Sequence, residues 1–548
     1  MNKFLENFPG TPRHTQVDAL NKIDKAIKKG KKYIILCAPT GSGKSHIGSA
    51  IALSSKEPPQ GFLDMIDDLS IYERDEFSRY VYAEQAMAYG NHRTTVCTVT
   101  KALQDQYENL FSSNTILFKG KTNYQCNVDP NLDCEMAPCI ADPKLKVKCM
   151  KTNFCNYYNA RDGALGSKFS TMNYNSFMCL PQHTRQLEYL VCDEASELEG
   201  EIVGHFSVDI NYKTLFSSLS GLKIEKLRSE DPKDGYVWLK DLGEDLKFEY
   251  DSFAHKLNGM RQSKNKGKLF NEIRKFRYIK SVYDQIVILL KNWYKTEIII
   301  ECKGDNVLFT PLYVNTLTDD LFDCAKTVIL MSATIIDPVN FAKRLGIKDY
   351  EYIEVENTFD PKKSPIYCSV AKYNLNYKNI DSNLPKVIKQ IDKICNHYND
   401  KKGLIHTHTH KITEKIQNAF RGNKRFIYRE PGINNEKLMD IHIKRKDASV
   451  VVSPSLTFGT DLTDDLGRFQ IVVKLPYPSL GSKRIKTLFD RDKLWYTDQM
   501  LTALVQSAGR CTRHINDHSE TFILDGQILQ VLKSNWNRLP QSFKDRIH

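Results

Sequence analysis

The chain has 548 residues, 41% of them hydrophobic and 26% charged, so it can bury several cores and is not a disordered tail. At about 150 residues per domain, this length suggests three or four folding units. Lys and Arg number 78 against 66 Asp and Glu, and the net charge of +12 favours a polyanionic partner such as nucleic acid. No apolar run approaches the roughly 18 residues that a bilayer span needs. The opening MNKFLENFPGTPRH holds no apolar stretch suited to secretion, so neither a membrane protein nor a secreted one is expected.

Tyr33–Ala38 (YIILCA) is a short apolar, β-rich run. It leads into Pro39-Thr40-Gly41-Ser42-Gly43-Lys44-Ser45 and then into HIGSAIAL, which has helical spacing. Strand, glycine loop and helix in that order make a phosphate loop, with Ala38 where the pattern has its first glycine. Gly41 and Gly43 let backbone amides turn toward phosphate oxygens, which a side chain would block. Lys44 is expected to reach the β- and γ-phosphates, and the Ser45 hydroxyl to bind Mg²⁺. Thr94–Val99 reads as the next strand.

Five of the 14 cysteines, Cys126, Cys134, Cys139, Cys149 and Cys155, then fall within 30 residues, where even scattering predicts less than one. Such clustering suggests a metal or iron–sulfur site in a reducing compartment. Four thiolates could hold zinc or a cluster equally well, and no CxxC pair favours either.

Tyr189–Cys192 is a further strand, and it delivers Asp193-Glu194-Ala195-Ser196. Here Asp193 would hold Mg²⁺ and Glu194 would polarise an attacking water. From about 211 to 293 the pattern is mostly helical. Within that stretch Arg261–Lys280 carries eight Lys or Arg against one acidic residue, Glu272, interleaved with Phe270, Phe276 and Tyr278. Basic residues among aromatics suit phosphate contact and base stacking; a solvated helix face is the alternative.

Thr327–Met331 closes a first α/β block, with the seam expected at Asp337–Pro338. A second block follows, with strands at Gly403–His406, Ser449–Val452, Gln470–Leu475 and Thr521–Leu524. His406, His408 and His410 alternate, so a strand would present all three on one face, but no carboxylate or cysteine nearby completes a metal site. Near the end stands Gln506-Ser507-Ala508-Gly509-Arg510-Cys511-Thr512-Arg513. Arg510 and Arg513 share a helix face and could neutralise a γ-phosphoryl group, with Gln506 orienting water.

Together these residues resemble the superfamily 2 helicases, and within them the iron–sulfur branch typified by DinG and XPD proteins, along nearly the whole chain. Arg13 and Gln16 sit where that family has an adenine-contacting glutamine. Thr98–Gln106 looks like motif Ia, which touches the DNA backbone. Asp193–Ser196 matches motif II, Ser332-Ala333-Thr334 motif III, and His406–His410 motif IV. Ser453–Asp461 with Lys474–Pro478 matches motif V, which places Asp461 at the nucleotide, and Gln506–Arg513 matches motif VI. Two departures stand out: Ser196 replaces the usual His, and Phe458 precedes Gly459 where a glutamate is common.

The resemblance implies an α/β fold of two RecA-like domains with parallel sheets. The first would occupy 1–118, 161–210 and 296–337, and the second 338–548. An iron–sulfur module would interrupt at 119–160 and a helical Arch-like insertion at 211–295. It also implies a [4Fe–4S] cluster on Cys126, Cys139, Cys149 and Cys155, with Cys134 as the substitute and zinc as the alternative metal. The implied activity is ATP- and Mg²⁺-dependent unwinding, 5′→3′, of single-stranded and forked DNA by a monomer, in the cytoplasm of a bacterium or an infected host. The rivals are a protein-stripping translocase and an RNA-dependent ATPase.

Overall fold

A computed structural model of the chain describes residues 2–56, 92–140, 142–151, 154–219, 224–260, 266–429, 435–454, 462–512 and 516–548. Strands are labelled in chain order: β1 (Tyr33–Cys37), β2 (Thr94–Thr98), β3 (Ile116–Phe118), β4 (Phe169–Asn173), β5 (Leu187–Cys192), β6 (Val208–Asn211), β7 (Ile298–Lys303), β8 (Asn306–Pro311), β9 (Ala325–Ser332) and β10 (Tyr350–Glu354). They continue with β11 (Ile366–Tyr367), β12 (Gly403–His406), β13 (Phe426–Tyr428), β14 (Val450–Ser453), β15 (Phe469–Val472) and β16 (Glu520–Ile523).

The first lobe is a parallel sheet in the order β10-β1-β9-β5-β2-β4-β3. Its central strands are continuous apolar runs because helices cover both faces. Alternate residues feed two cores. Ile35, Cys37, Leu190, Cys192, Val328 and Leu330 enter one, and Ile34, Leu36, Tyr189, Val191, Ile329 and Met331 the other. The second lobe is a parallel sheet in the order β11-β16-β15-β12-β14-β13. Two RecA-like α/β lobes result.

The seam expected at Asp337–Pro338 is displaced, because β10 pairs with β1 and keeps the chain in the first lobe to Glu354. Asp337-Pro338 is a helix start instead: the Asp337 carboxylate accepts from the Val339 and Asn340 amides, and Pro338 opens the helix Pro338–Arg344. The boundary expected at 296 also shifts. β7 and β8 form a separate antiparallel sheet with β6, so 298–311 is the base of the insertion and not part of the parallel sheet.

Two long helices, Pro232–Met260 and Lys266–Asn292, rise from that base. Leu239, Leu242 and Leu246 of one share a core with Phe276, Ile279, Val282 and Ile286 of the other. Phe276 is fully buried and stacks on Tyr250 at 4.8 Å, with Phe270 and Tyr278 packed at the same core. These aromatics are therefore core residues rather than a base-stacking platform, since their spacing turns them inward, while Arg274 is exposed and Lys275, Arg277 and Lys280 are partly exposed. Residues 261–265 of the basic run lie outside the described residues.

The lobes meet through an ion pair with a buried arginine. Glu199, in the helix Leu198–His205 just after Ser196, accepts from Arg484 at 2.7 Å and from the Trp495 indole at 2.8 Å. Arg484 also donates to the Pro311 carbonyl at 2.9 Å. Nearby, Arg491 forks onto Glu297 at 2.7 and 3.1 Å. The helix Lys483–Arg491 of the second lobe is thereby clamped to both the first lobe and the base of the insertion. Among the described residues, no helix is long and apolar enough to cross a membrane.

Candidate nucleotide site

The phosphate-loop segment leaves β1 at Cys37, and the Ala38 amide donates to the Ser332 carbonyl at 2.9 Å. Gly41 and Gly43 have φ of +79° and +81°, the left-handed region where glycine is favoured. At Gly43 space also matters, because a Cβ would lie 2.2 Å from the Gln16 amide nitrogen. Gln16 is buried; its amide donates to the Ser42 carbonyl at 3.1 Å, while its oxygen accepts from the Arg13 amide at 2.9 Å. The Arg13 guanidinium donates to the Gly41 carbonyl at 2.8 Å. Gln16 and Arg13 therefore brace the loop from behind.

In front of the loop is a cavity of about 250 Å³, lined by Thr40, Gly41, Gly43, Lys44, Ser45, Asp193, Glu194, Gln506, Gly509 and Arg510 among others. Residues from about 40, 193 and 510 in the sequence thus converge on one space between the lobes. Pro39 lies at its edge, in an adjoining recess. Ser42 is buried behind the loop, its hydroxyl without a hydrogen-bond partner among the described residues. Gly509 brings the second lobe close, since a Cβ there would sit 3.3 Å from the Thr40 hydroxyl.

Glu194 has φ of +51°, a strained conformation for a non-glycine residue and one that clusters at functional sites. It turns the chain sharply at the end of β5 and points its carboxylate at Lys44, 3.6 Å away. Asp193 is 2% exposed and accepts from the Tyr107 hydroxyl at 3.0 Å. Burial, and then the neighbouring Glu194 charge, push the Asp193 carboxyl up to about 6. A buried carboxylate facing a second one is short of positive charge, which a divalent cation between Asp193 and Ser45 would supply.

Ser196 is the junction of three distant segments. Its hydroxyl lies 3.0 Å from that of Ser332 and accepts from the Gln506 amide at 3.0 Å. The serine that departs from the family pattern thus makes both contacts, one within its lobe and one across the cleft. Arg510 is buried in the cleft and lines both the main cavity and a second one of about 250 Å³ behind Gln506. Arg513, Asp461 and Phe458 lie outside the described residues.

Two residues were not singled out from the sequence. Glu197 lines the second cavity; burial and the Glu194 and Glu201 charges raise its carboxyl to about 7, against the opposing pull of Arg510. Tyr107 falls at the apolar spacing of its helix with Gln104 and Phe111, a pattern that reads only as core.

The histidine triplet shares no face. β12 ends at His406, His408 turns at φ +64°, and His410 opens the helix His410–Ala419. His406 is buried beside Gln470 at 3.3 Å, and desolvation lowers its pKa to about 3, so it is neutral.

All five clustered cysteines are buried in one knot with Tyr124, Tyr157, Tyr158 and Ala137. Burial raises the Cys134 and Cys139 thiols to about 12, and it also shifts the Cys149 thiol upward. The Cys134 and Cys155 sulfurs lie 3.9 Å apart, and the Cys139 and Cys149 thiols are also neighbours. Among the described residues no three His, Cys, Asp or Glu side chains converge on one metal position. The donor chemistry nevertheless suits a thiolate-bound group, since buried thiols ionise readily only beside a cation.

Residues 391–546 match the family described as helicase C-terminal domain, and residues 10–127 the family described as type III restriction enzyme, res subunit. The ATP-dependent DNA helicase CHL1 of Candida albicans is 31% identical over 152 residues, 23% of this chain and 18% of that protein. CHL1 of Kluyveromyces lactis is 30% identical over 152 residues, 23% and 19% of the two chains. The matched stretch therefore spans less than a fifth of these curated relatives. An XPD helicase structure superposes with a TM-score of 0.60 at 16% identity, covering 96% of this chain and 98% of the other. Xpd4 of S. tokodaii does so at 0.54 and 16%, covering 98% and 100%.

The Asp193 environment gives a signed expectation. Its folded pKa lies above the unfolded value, so ionised Asp193 costs stability. That cost is absent below about pH 4, grows between about 4 and 6, and is complete above 6, where it reaches about 3 kcal/mol. Asp193→Asn is therefore expected to raise the thermal unfolding midpoint of metal-free protein at pH 8, with the gain vanishing near pH 4. An equal gain at both pH values would contradict the burial argument.

Proposed function

This chain belongs to the superfamily 2 helicases of the DinG and XPD type, and we propose that it is an ATP-driven DNA helicase that loads on single strands and opens duplex. One observation carries this reading. Lys44 and Ser45 of the phosphate loop, Asp193 and Glu194 of the acidic turn, and Gln506 and Arg510 of the other lobe all line a single cavity.

The Lys44–Glu194 pair supplies the mechanism. Without nucleotide, the lysine neutralises the carboxylate that has to act as base. A triphosphate seated against the loop amides draws Lys44 to its β- and γ-oxygens, and Glu194 is released to accept a proton from the attacking water. Ser45 and Asp193 would hold Mg²⁺, which contributes positive charge to the phosphates. Arg510, joined in the family pattern by Arg513, neutralises charge on the transferred phosphoryl group from the second lobe. Asp461 is assigned to the nucleotide on the same pattern. Closure therefore needs both lobes, and loss of the γ-phosphate removes the reason for closure.

Strand contact is assigned to motif Ia at the start of the helix Lys101–Phe111 and to the outward basic residues of the insertion. Polarity is taken as 5′→3′ from the family. The cysteine-bearing segment and the helix pair are assigned to the site of strand separation. The buried thiols are assigned a [4Fe–4S] cluster on Cys126, Cys139, Cys149 and Cys155. Cys134 is the alternative ligand, favoured by its closeness to Cys155. The cluster would brace this segment, taking no part in hydrolysis.

Lys44→Ala is expected to lower ATP hydrolysis by at least about a hundredfold, roughly 3 kcal/mol of transition-state stabilisation, and to abolish opening of a forked duplex. Single-strand binding should be retained within about twofold. Normal turnover would refute the site. ATP-driven movement along a strand without duplex opening would favour the protein-stripping translocase, and stimulation by RNA alone the RNA-dependent ATPase. Anaerobically purified protein is expected to carry about four irons per chain with broad absorbance near about 400 nm. One zinc and no colour would remove the cluster and leave the motor.

A further inference from the structure

Tyr107 lies six residues into the helix Lys101–Phe111, and its ring and hydroxyl are fully buried beneath the phosphate loop. The phenol donates to Asp193 Oδ2 at 3.0 Å, and the Ser45 hydroxyl lies beside the same phenolic oxygen. Space for it is left by Gly48, in the helix that follows the loop: a Cβ there would stand 3.2 Å from the phenolic oxygen and 3.0 Å from Met331 Cε. The other oxygen of Asp193 is occupied by the Glu194 amide at 3.0 Å.

These contacts leave one consistent arrangement of protons. A carboxylate accepts only, so the phenolic proton points at Asp193. The phenolic oxygen is then an acceptor, and the neighbouring group with a proton to give is the Ser45 hydroxyl. A relay from Ser45 through Tyr107 to Asp193 turns the Ser45 proton away from the cavity and leaves its lone pairs facing inward.

We propose that Tyr107 is a positioning residue for the divalent cation, a single buried hydroxyl that orients both Ser45 and Asp193 toward the metal. The proposal rests on the nucleotide-site reading above and adds a residue to it. Because Tyr107 stands on the helix that begins at motif Ia, a shift of that helix on strand binding changes the angle at which the cation is held. Grip on the strand and grip on the metal then share one rigid element.

The test is Mn²⁺ binding, followed by electron paramagnetic resonance in the presence of a non-hydrolysable ATP analogue. Removing a group that orients metal ligands weakens metal affinity by about 10- to 100-fold. Tyr107→Phe keeps the ring and is expected to weaken Mn²⁺ binding by at least about tenfold, with binding of the analogue in excess chelator unchanged within about twofold. Gly48→Ala, which displaces the phenol but keeps the hydroxyl, is expected to weaken Mn²⁺ binding in the same direction. Wild-type Mn²⁺ affinity in either folded variant overturns the proposal. If the wild-type protein binds no analogue even with Mn²⁺, the nucleotide reading itself falls, and this proposal with it.

Discussion

The Ser196 hydroxyl joins the three segments on which the chemistry of this molecule depends. It follows the acidic turn that carries Asp193 and Glu194, touches Ser332 at the end of β9, and accepts from Gln506 across the cleft. Few other polar groups could do this in so little space. A hydroxyl oxygen carries two lone pairs and can accept from two neighbours, so one small side chain serves both lobes at once. The second lobe is then registered to the acidic turn by a hydrogen bond 3.0 Å long.

Around that junction, charges are buried at a cost that the fold bears elsewhere. Glu194 is held in a left-handed conformation, Asp193 and Glu197 are raised well above ordinary carboxylates, and Lys44 is shared with Glu194 rather than free. Such a site is poised to accept cations and phosphates together, because each relieves strain or repulsion already present. The compensating rigidity comes from the two-faced core of the first sheet and from the Glu199–Arg484–Trp495 contact, which fixes one side of the cleft.

What could be read from the sequence was set by how local each signal is. The phosphate loop and the acidic turn are short and bounded by apolar strands, so Lys44, Ser45, Asp193 and Glu194 were legible as a pair of motifs. That they share a cavity with Gln506 and Arg510 required the fold. That Gln16 braces the loop required the fold, because its spacing from the loop says nothing about which way its amide points. Phe276 was misread because an aromatic among lysines looks the same whether it faces water or a partner helix. Asp337-Pro338 suggests a seam between blocks, although the same dipeptide caps a helix. Tyr107 and Glu199 gave no local sign, since a buried tyrosine at core spacing and one glutamate in an acidic helix are ordinary until the partners 86 and 285 residues away are known.

The proposed function couples a nucleotide site built from both lobes to the binding of a nucleic acid strand. The most direct measurement is the rate of ATP hydrolysis by the intact protein with and without a single-stranded DNA oligonucleotide. The account predicts a slow basal rate that rises by at least about tenfold when the strand is added, equivalent to about 1.4 kcal/mol of barrier removed by closure. A rate that is the same with and without nucleic acid would contradict it, leaving a nucleotide hydrolase whose two lobes are already closed.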